Sequence, residues 1–389
     1  MPQIRVAERG GVWYHRRAAM RGFTWKKALF ITILLGMVYG GVHMYFYIND
    51  LVQPVLMPVN QEYAGYANLP QKKLGLKLEP FVFRGGDGGE VQAVVVTKEG
   101  EESPRQSAVT FDLNRKPADN LGIIEYVLVC VNWDHGVLSA LPLAESLTAA
   151  GLTCVLWDPR GVGDRRVNCT HGLKESADVP LLLDALKVTP GKYVVGVGQG
   201  YGAGLLLQAA AQEPRIRGLV CIDSMASLRL SVERTLPKAP LKSLTLALMD
   251  LKINSSVGFE CFDVAPIESA SRLSRDVPVL VVNMVRNSPV STLHDAVAIY
   301  RQLPSDVREV WTLRGPGDRP GAEQREVVYT SGQGEKMRSR TVDVHLERDE
   351  ESTVLGIIHW LDGVMVPAWN SRPLNEPERP NLRTDIGDE

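Results

Sequence analysis

Polar and apolar positions divide the chain of 389 residues into stretches of different texture. From Ala28 to Ile48 it reads ALFITILLGMVYGGVHMYFYI, uncharged apart from a titratable His43. About 21 residues at 1.5 Å rise span about 30 Å, the thickness of a bilayer core, so this stretch reads as a membrane-crossing helix. Residues 49–75 carry Pro54, Pro58 and Pro70 among polar residues and read as a tether. Residues 76–365 alternate short apolar runs with helical periods, the pattern of a folded domain. The last stretch, 366–389, places Pro367, Pro373, Pro377 and Pro380 among charges and reads as a disordered tail.

Within 76–365 the order of elements is legible. Two extended runs, around Pro80–Arg84 and Val91–Thr97, flank a Gly-Gly-Asp-Gly-Gly turn and predict a β-hairpin. Then EYVLVCVN (125–132) predicts a buried strand, LPLAESLTAAG (141–151) a helix closed by glycine, and LTCVLWD (152–158) a strand. ADVPLLLDALK (177–187), KYVVGVG (192–198), AGLLLQAAAQ (203–212) and RGLVCID (217–223) continue helix, strand, helix, strand. DVPVLVVN (276–283), LHDAVAIYRQL (293–303) and VREVWTL (307–313) extend the series, and VLGIIHWLDGV (354–364) closes it with His359 packed among apolar residues. Such alternation predicts a mostly parallel sheet covered on both faces. Residues 225–270 break it with irregular helical text, as an inserted cap would. Residues 319–350 read as a second insert, a hairpin through VVYT and TVDVHL.

Composition and charge narrow the setting. Apolar residues make up 44% of the chain, enough for a sizeable core, and the net charge of −2 leaves no general attraction for nucleic acid. The five cysteines show no metal-binding spacing. Cys130, Cys154 and Cys221 lie in apolar runs, whereas Cys169 and Cys261 lie in polar ones and could pair in an oxidising compartment. No metal and no cofactor is expected. Arg5, Arg9, Arg16, Arg17, Arg21, Lys26 and Lys27 precede the apolar stretch against one acid, Glu8. The positive-inside rule then puts residues 1–27 in the cytoplasm and the domain on the far side of a single-pass membrane anchor. A cleaved signal peptide is the alternative, disfavoured by the long apolar run and the lack of a small-x-small cleavage site.

Three phrases carry a resemblance: VLWDPRGVGD (155–164), VGQGYGAGLLLQAAAQEPRIRGLVCIDS (197–224) and APIESASRLSRDVPVLVVN (265–283). In this order, behind an N-terminal anchor and an opening hairpin, the chain resembles the membrane-tethered members of the α/β-hydrolase superfamily over about residues 76–365. The resemblance implies an α/β-hydrolase fold with a small cap at about 225–270. It also implies a nucleophile elbow Gly-x-Ser-x-Gly, an acid near the end of the next-to-last strand and a histidine after the last. Carried over, the nucleophile position is Gly200 in GQGYG, or Gly198 if the frame slips to GVGQG. The acid position is Asn287 in VNMVRNSPV and the base position is Asp318 in RGPGD. Asn132 and Trp133 stand where the oxyanion loop begins, with His135-Gly136 just beyond.

A triad works as a unit, so three losses together mean that the chemistry has gone while the turn survives. An emptied cleft leaves binding of a peptide, a lipid or a protein partner, with Trp133, Gln199 and Tyr201 at the pocket and Trp157 beside them. Asp158, Arg160 and Asp164 are expected to hold their own turn together. The rival reading is an esterase or peptidase with a displaced site built from His135, Asp223 and His345. A smaller rival is a dinucleotide site, since Gly198-Gln199-Gly200-Tyr201-Gly202-Ala203 fits G-x-G-x-x-A and Asp223 ends the next strand.

Overall fold

The computed structural model of the protein describes residues 25–56, 75–99, 121–131, 137–161, 168–188, 191–236, 241–257, 261–285, 290–314, 326–329, 338–341 and 350–370. The basic N-terminal segment and the end of the chain lie outside these residues. So do Asn132, Trp133, His135, Asp164, Asn287, Asp318 and His345.

Helix α1 spans Trp25–Leu56. It is long and apolar enough to cross a membrane. Leu29, Phe30, Leu35, Met37, Val38 and Tyr39 are all exposed along it. The helix runs eight residues past the apolar stretch, so the first part of the expected tether is helical. Residues 53–56 belong to the same compact unit as the domain that follows, whereas residues 1–52 form a unit of their own.

That domain is built on one eight-stranded sheet in the order β1-β2-β4-β3-β5-β6-β7-β8. The strands are β1 (Leu76–Arg84), β2 (Glu90–Lys98), β3 (Ile124–Cys130), β4 (Cys154–Trp157), β5 (Tyr193–Gln199), β6 (Ile216–Ile222), β7 (Val279–Val285) and β8 (Arg308–Arg314). β2 pairs antiparallel with both β1 and β4. Every other pairing in this sheet is parallel. Crossovers between parallel strands are helical, which buries the strands on both faces and explains their near-continuous Val/Leu/Ile runs. This strand order, with its antiparallel opening hairpin, is that of the α/β-hydrolase fold.

Side chains alternate between two cores. Leu128, Val155, Val194, Leu219 and Val281 point into one, shared with α3 (Asp178–Leu186), α4 (Tyr201–Ala210), α7 (Pro266–Ser271) and α8 (Leu293–Gln302). Val127, Val129, Val195, Val220 and Val282 point into the other, shared with α2 (Leu141–Ala149) and α9 (Glu350–Trp360). The period of two along each strand makes this division. α4 is buried at every position, as a helix apolar on all sides must be.

Between β6 and β7 lie α5 (Leu228–Thr235), α6 (Lys242–Val257) and α7. After α9 a π-turn leads into α10 (Val366–Asn370), so the first residues of the expected tail are helical. Trp369 explains this extension. Its indole N–H donates to the Arg217 carbonyl at 3.0 Å, and its ring lies 4.4 Å from that of Tyr193.

Two local expectations are corrected. The hairpin in the second insert pairs β9 (Glu326–Tyr329) with β10 (Arg338–Thr341), upstream of most of TVDVHL; the shorter loop costs less closure entropy. His359 is exposed, because Ile357, Ile358, Trp360 and Leu361 occupy the inward arc of the helix and leave position 359 facing away. Cys169, whose pairing the sequence left open, is buried and forms no disulfide.

Candidate functional site

The turn between β5 and α4 has the geometry of a nucleophile elbow. β5 ends at Gln199, α4 starts at Tyr201, and Gly200 between them has φ 56° and ψ −117°. Only glycine adopts this region without strain. The Gly200 N–H donates to the Ile222 carbonyl at 2.8 Å, tying the turn to the end of β6. The frame GQGYG is therefore the one the backbone uses, and the position that would lift a nucleophile above the sheet has no side chain.

The flanking glycines serve close approach. A Cβ on Gly198 would sit 2.5 Å from the backbone nitrogen of Ala203. A Cβ on Gly202 would sit 2.1 Å from the Cys130 carbonyl oxygen, at the end of β3. The elbow helix is thus pressed against β3 at Gly202, a position the G-x-G-x-x-A pattern leaves open. That reading also needs the glycine turn after the first strand of the parallel set. Here the turn follows β5, two strands later.

Of the pocket candidates, Gln199 is half-buried at the strand end. Tyr201 is 5% exposed, and its ring meets His171 edge-on with centroids 6.1 Å apart. Burial, with the neighbouring Cys169 and Glu175, raises its phenol well above its ordinary pKa. Trp157 is buried in the same core as Tyr201. Asp223, just past β6, has φ 49°. Its carboxylate accepts from the Met284 N–H at 2.7 Å and the Asn283 amide at 3.3 Å, so it bridges the ends of β6 and β7.

Potential nucleophiles near the strand ends are not activated. Burial raises the thiol of Cys130, with the Asp158 charge adding to it, and burial likewise raises Cys154 and Cys221. A thiol nucleophile needs the thiolate, which this environment disfavours. Ser224 is buried, and its hydroxyl donates to the Met225 carbonyl at 3.2 Å. Among the described residues no group of three His, Cys, Asp or Glu side chains could hold a metal ion.

Two polar clusters lie around the elbow, of which the sequence singled out only Asp158 and Arg160. In the first, Arg160 Nε donates to Asp178 Oδ2 at 2.8 Å, a second guanidinium nitrogen donates to Oδ1, and Asp87 lies 3.6 Å away. Asp178 Oδ1 also accepts from the Gly86 N–H at 2.7 Å. Asp158 in the same turn accepts from the Val137 N–H at 3.2 Å. Asp158 and Arg160 therefore tie their turn to other segments, whereas the sequence reading has them holding their own turn together. Burial opposes the charge on Arg160, but Asp178, Asp87 and Glu175 outweigh it and raise its pKa.

The second cluster is the loop 169–175. Glu175, fully buried, accepts from the Thr170 N–H at 2.7 Å, the Thr170 hydroxyl at 2.5 Å and the Gly172 N–H at 2.8 Å. Burial raises its carboxyl, and these bonds act against the rise. His171, also fully buried, donates Nε2–H to the Val55 carbonyl at 2.8 Å. Burial lowers its pKa from 6.5 to about 4, with the Val55 bond opposing the shift. The Cys169 N–H donates to the Leu56 carbonyl at 2.7 Å, and Gln208 on α4 donates to the His171 carbonyl at 2.9 Å. The last residues of α1 and the elbow helix are thus joined through one buried loop. In the sequence, only the cluster of polar residues between two apolar runs marked it.

No protein-family model matches the sequence, and no curated protein matches it. Solved structures are similar to it in fold. The Pyrococcus furiosus esterase Pf2001 shares 15% identity, with 67% of this chain and 88% of that chain covered, at a TM-score of 0.49. A membrane phospholipase A, described as a bacterial virulence factor, shares 16% identity, with 74% and 91% covered, at 0.42. The hypothetical protein PA2218 from Pseudomonas aeruginosa shares 13% identity, with 67% and 91% covered, at 0.43. The assignment of the fold rests on strand order and the elbow.

Proposed function

We propose that this α/β-hydrolase-fold protein is a non-catalytic binding module, tethered to a membrane by α1 with its N-terminus in the cytoplasm. The observation that carries the reading is Gly200, which keeps the backbone of an elbow, φ 56° and ψ −117°, without a nucleophile. Asn287 and Asp318 stand at the expected acid and base positions, so the same loss recurs across the triad. Asp223, the described member of the displaced set, spends its carboxylate on the backbone and side chain of β7. What remains at the elbow is a helix N-terminus beside half-buried Gln199, with Tyr201 buried beneath it, and this supports recognition of a peptide, lipid or protein group. The basic residues before α1 set the orientation by the positive-inside rule.

The test is ester hydrolysis by the purified full chain on a panel of short activated esters. Wild type, Gly200→Ser and the double variant His135→Ala/His345→Ala are assayed together. The expected result is the uncatalysed rate in all three. In Gly200→Ser, serine alone recovers neither base nor acid. Turnover by wild type that the double variant loses would overturn the reading in favour of a displaced catalytic site.

A further inference from the structure

The chain enters the domain through Val55 and Leu56, which are buried and belong to the same compact unit as the sheet. They close α1, and the last carbonyls of a helix find no partner within it. The loop 169–175 supplies those partners. His171 donates Nε2–H to the Val55 carbonyl at 2.8 Å, and the Cys169 N–H donates to that of Leu56 at 2.7 Å. The same loop meets the elbow helix at two points. The His171 ring stands edge-on to Tyr201, the first residue of α4, with centroids 6.1 Å apart. The His171 carbonyl accepts from Gln208, two turns further along α4, at 2.9 Å.

This loop is held in an uncommon shape and has little slack. His171 has φ 53° and Gly172 φ 102°. The left-handed region is uncommon for a residue with a side chain, and such backbone persists where the surroundings over-determine it, often in switch regions. A Cβ on Gly172 would lie 2.1 Å from the Gln208 side-chain nitrogen, and one on Gly161 would lie 2.7 Å from the Cys169 backbone. Glu175 fixes the turn from inside through Thr170 and Gly172. Groups packed this closely transmit a displacement instead of absorbing it.

We infer that the loop 169–175 couples Val55–Leu56 to the elbow, with His171 as the positioning residue. Loosening Val55–Leu56 loosens the first turn of α4, and a ligand that tightens that turn holds Val55–Leu56 in place. The second effect follows from the first, because a coupling free energy between two sites is reciprocal. The elbow thereby responds to the state of the chain where it enters the domain. Its use in regulating binding rests on the elbow being the binding surface proposed above, whereas the coupling itself is read without any ligand.

The experiment is hydrogen exchange, resolved to single amides, on the full chain in detergent micelles. Leu56→Ala removes buried surface at one end of the route, and Val55→Ala does so with less surface removed. His171→Asn breaks the link at its centre, since asparagine tolerates the left-handed region while losing the ring. Leu152→Ala, in the opposite core, is the control for general destabilisation. The amides read are Gly200, bonded to Ile222, and Gly204, bonded back to Gly200. Leu56→Ala is expected to speed their exchange about tenfold and to leave Val220 in β6 unchanged, as local opening requires. In the His171→Asn background, Leu56→Ala is expected to add nothing further at the elbow. Faster exchange confined to residues 169–175 overturns the coupling and leaves the loop a passive support. An additive effect in the double variant overturns the role of His171. Equal acceleration of the elbow by Leu152→Ala shows a global effect and overturns the coupling too. None of these outcomes depends on the esterase assay, so the coupling and the binding reading fail separately.

Discussion

Single residues decide what the elbow is. Three glycines shape it, for two different reasons. Gly200 supplies dihedrals, whereas Gly198 and Gly202 supply room. The room at Gly202 is the stricter demand, because the atoms a side chain would meet belong to β3, which is paired on both sides by β4 and β5 and cannot withdraw. Gly202→Ala is expected to cost about 3 kcal/mol of stability by denaturant unfolding, since overpacking against fixed backbone leaves no side chain free to move. Gly122→Ala, where nothing lies within 4 Å of the new Cβ, is the comparison and is expected to stay within about 0.5 kcal/mol. Asp223 shows the opposite economy. It tolerates φ 49° because aspartate accepts that region better than most residues and its carboxylate is bonded across to β7.

Between elements, the Arg160–Asp178 pair ties three parts of the fold: the β1–β2 hairpin through Gly86, the turn after β4 through Arg160, and the start of α3 through Asp178 itself. Both side chains are buried, at 5% and 1% exposure. Removing one partner of such a pair leaves a buried charge without its match, which is where the large penalty arises. Asp178→Ala is expected to lower stability by about 3–5 kcal/mol. Arg160→Met combined with Asp178→Ala is expected to cost less than the two single variants added together, and a double-mutant cycle by chemical denaturation measures the difference. The hairpin was legible in the sequence because a Gly-rich turn between two alternating runs is a local signal. The pair that anchors it was not, because Asp87, Arg160 and Asp178 are brought together only when β1, β4 and α3 pack.

For the molecule as a whole, the buried loop 169–175 makes stability depend on pH. His171 has an ordinary pKa of 6.5 and a folded value of about 4. The unfolded chain therefore binds the proton more readily, and the contribution is complete above pH 6.5 and is lost as the pH falls toward 4. A shift of this size corresponds to about 3 kcal/mol. Glu175 acts in the opposite sense, since burial raises its carboxyl. Comparing wild type with His171→Gln separates the two. The acid-side loss of unfolding free energy is expected to be steeper in wild type by about 3 kcal/mol between pH 6.5 and 4, measured by denaturant titration at each pH.

The sequence by itself determined the helix long enough to cross a membrane, the alternation that became a mostly parallel sheet, and the absence of a nucleophile at the elbow. These depend on period, length and the identity of one residue in a local turn, all of which are local in the chain. Tertiary structure alone decided which glycine occupies the turn, because the frames at Gly198 and Gly200 differ only in dihedrals. It alone decided that Tyr201 packs against His171, since the two lie thirty positions apart and meet across the first turn of α4. It also decided that α6 keeps one apolar face inside and one outside, because a leucine's burial depends on what packs over it.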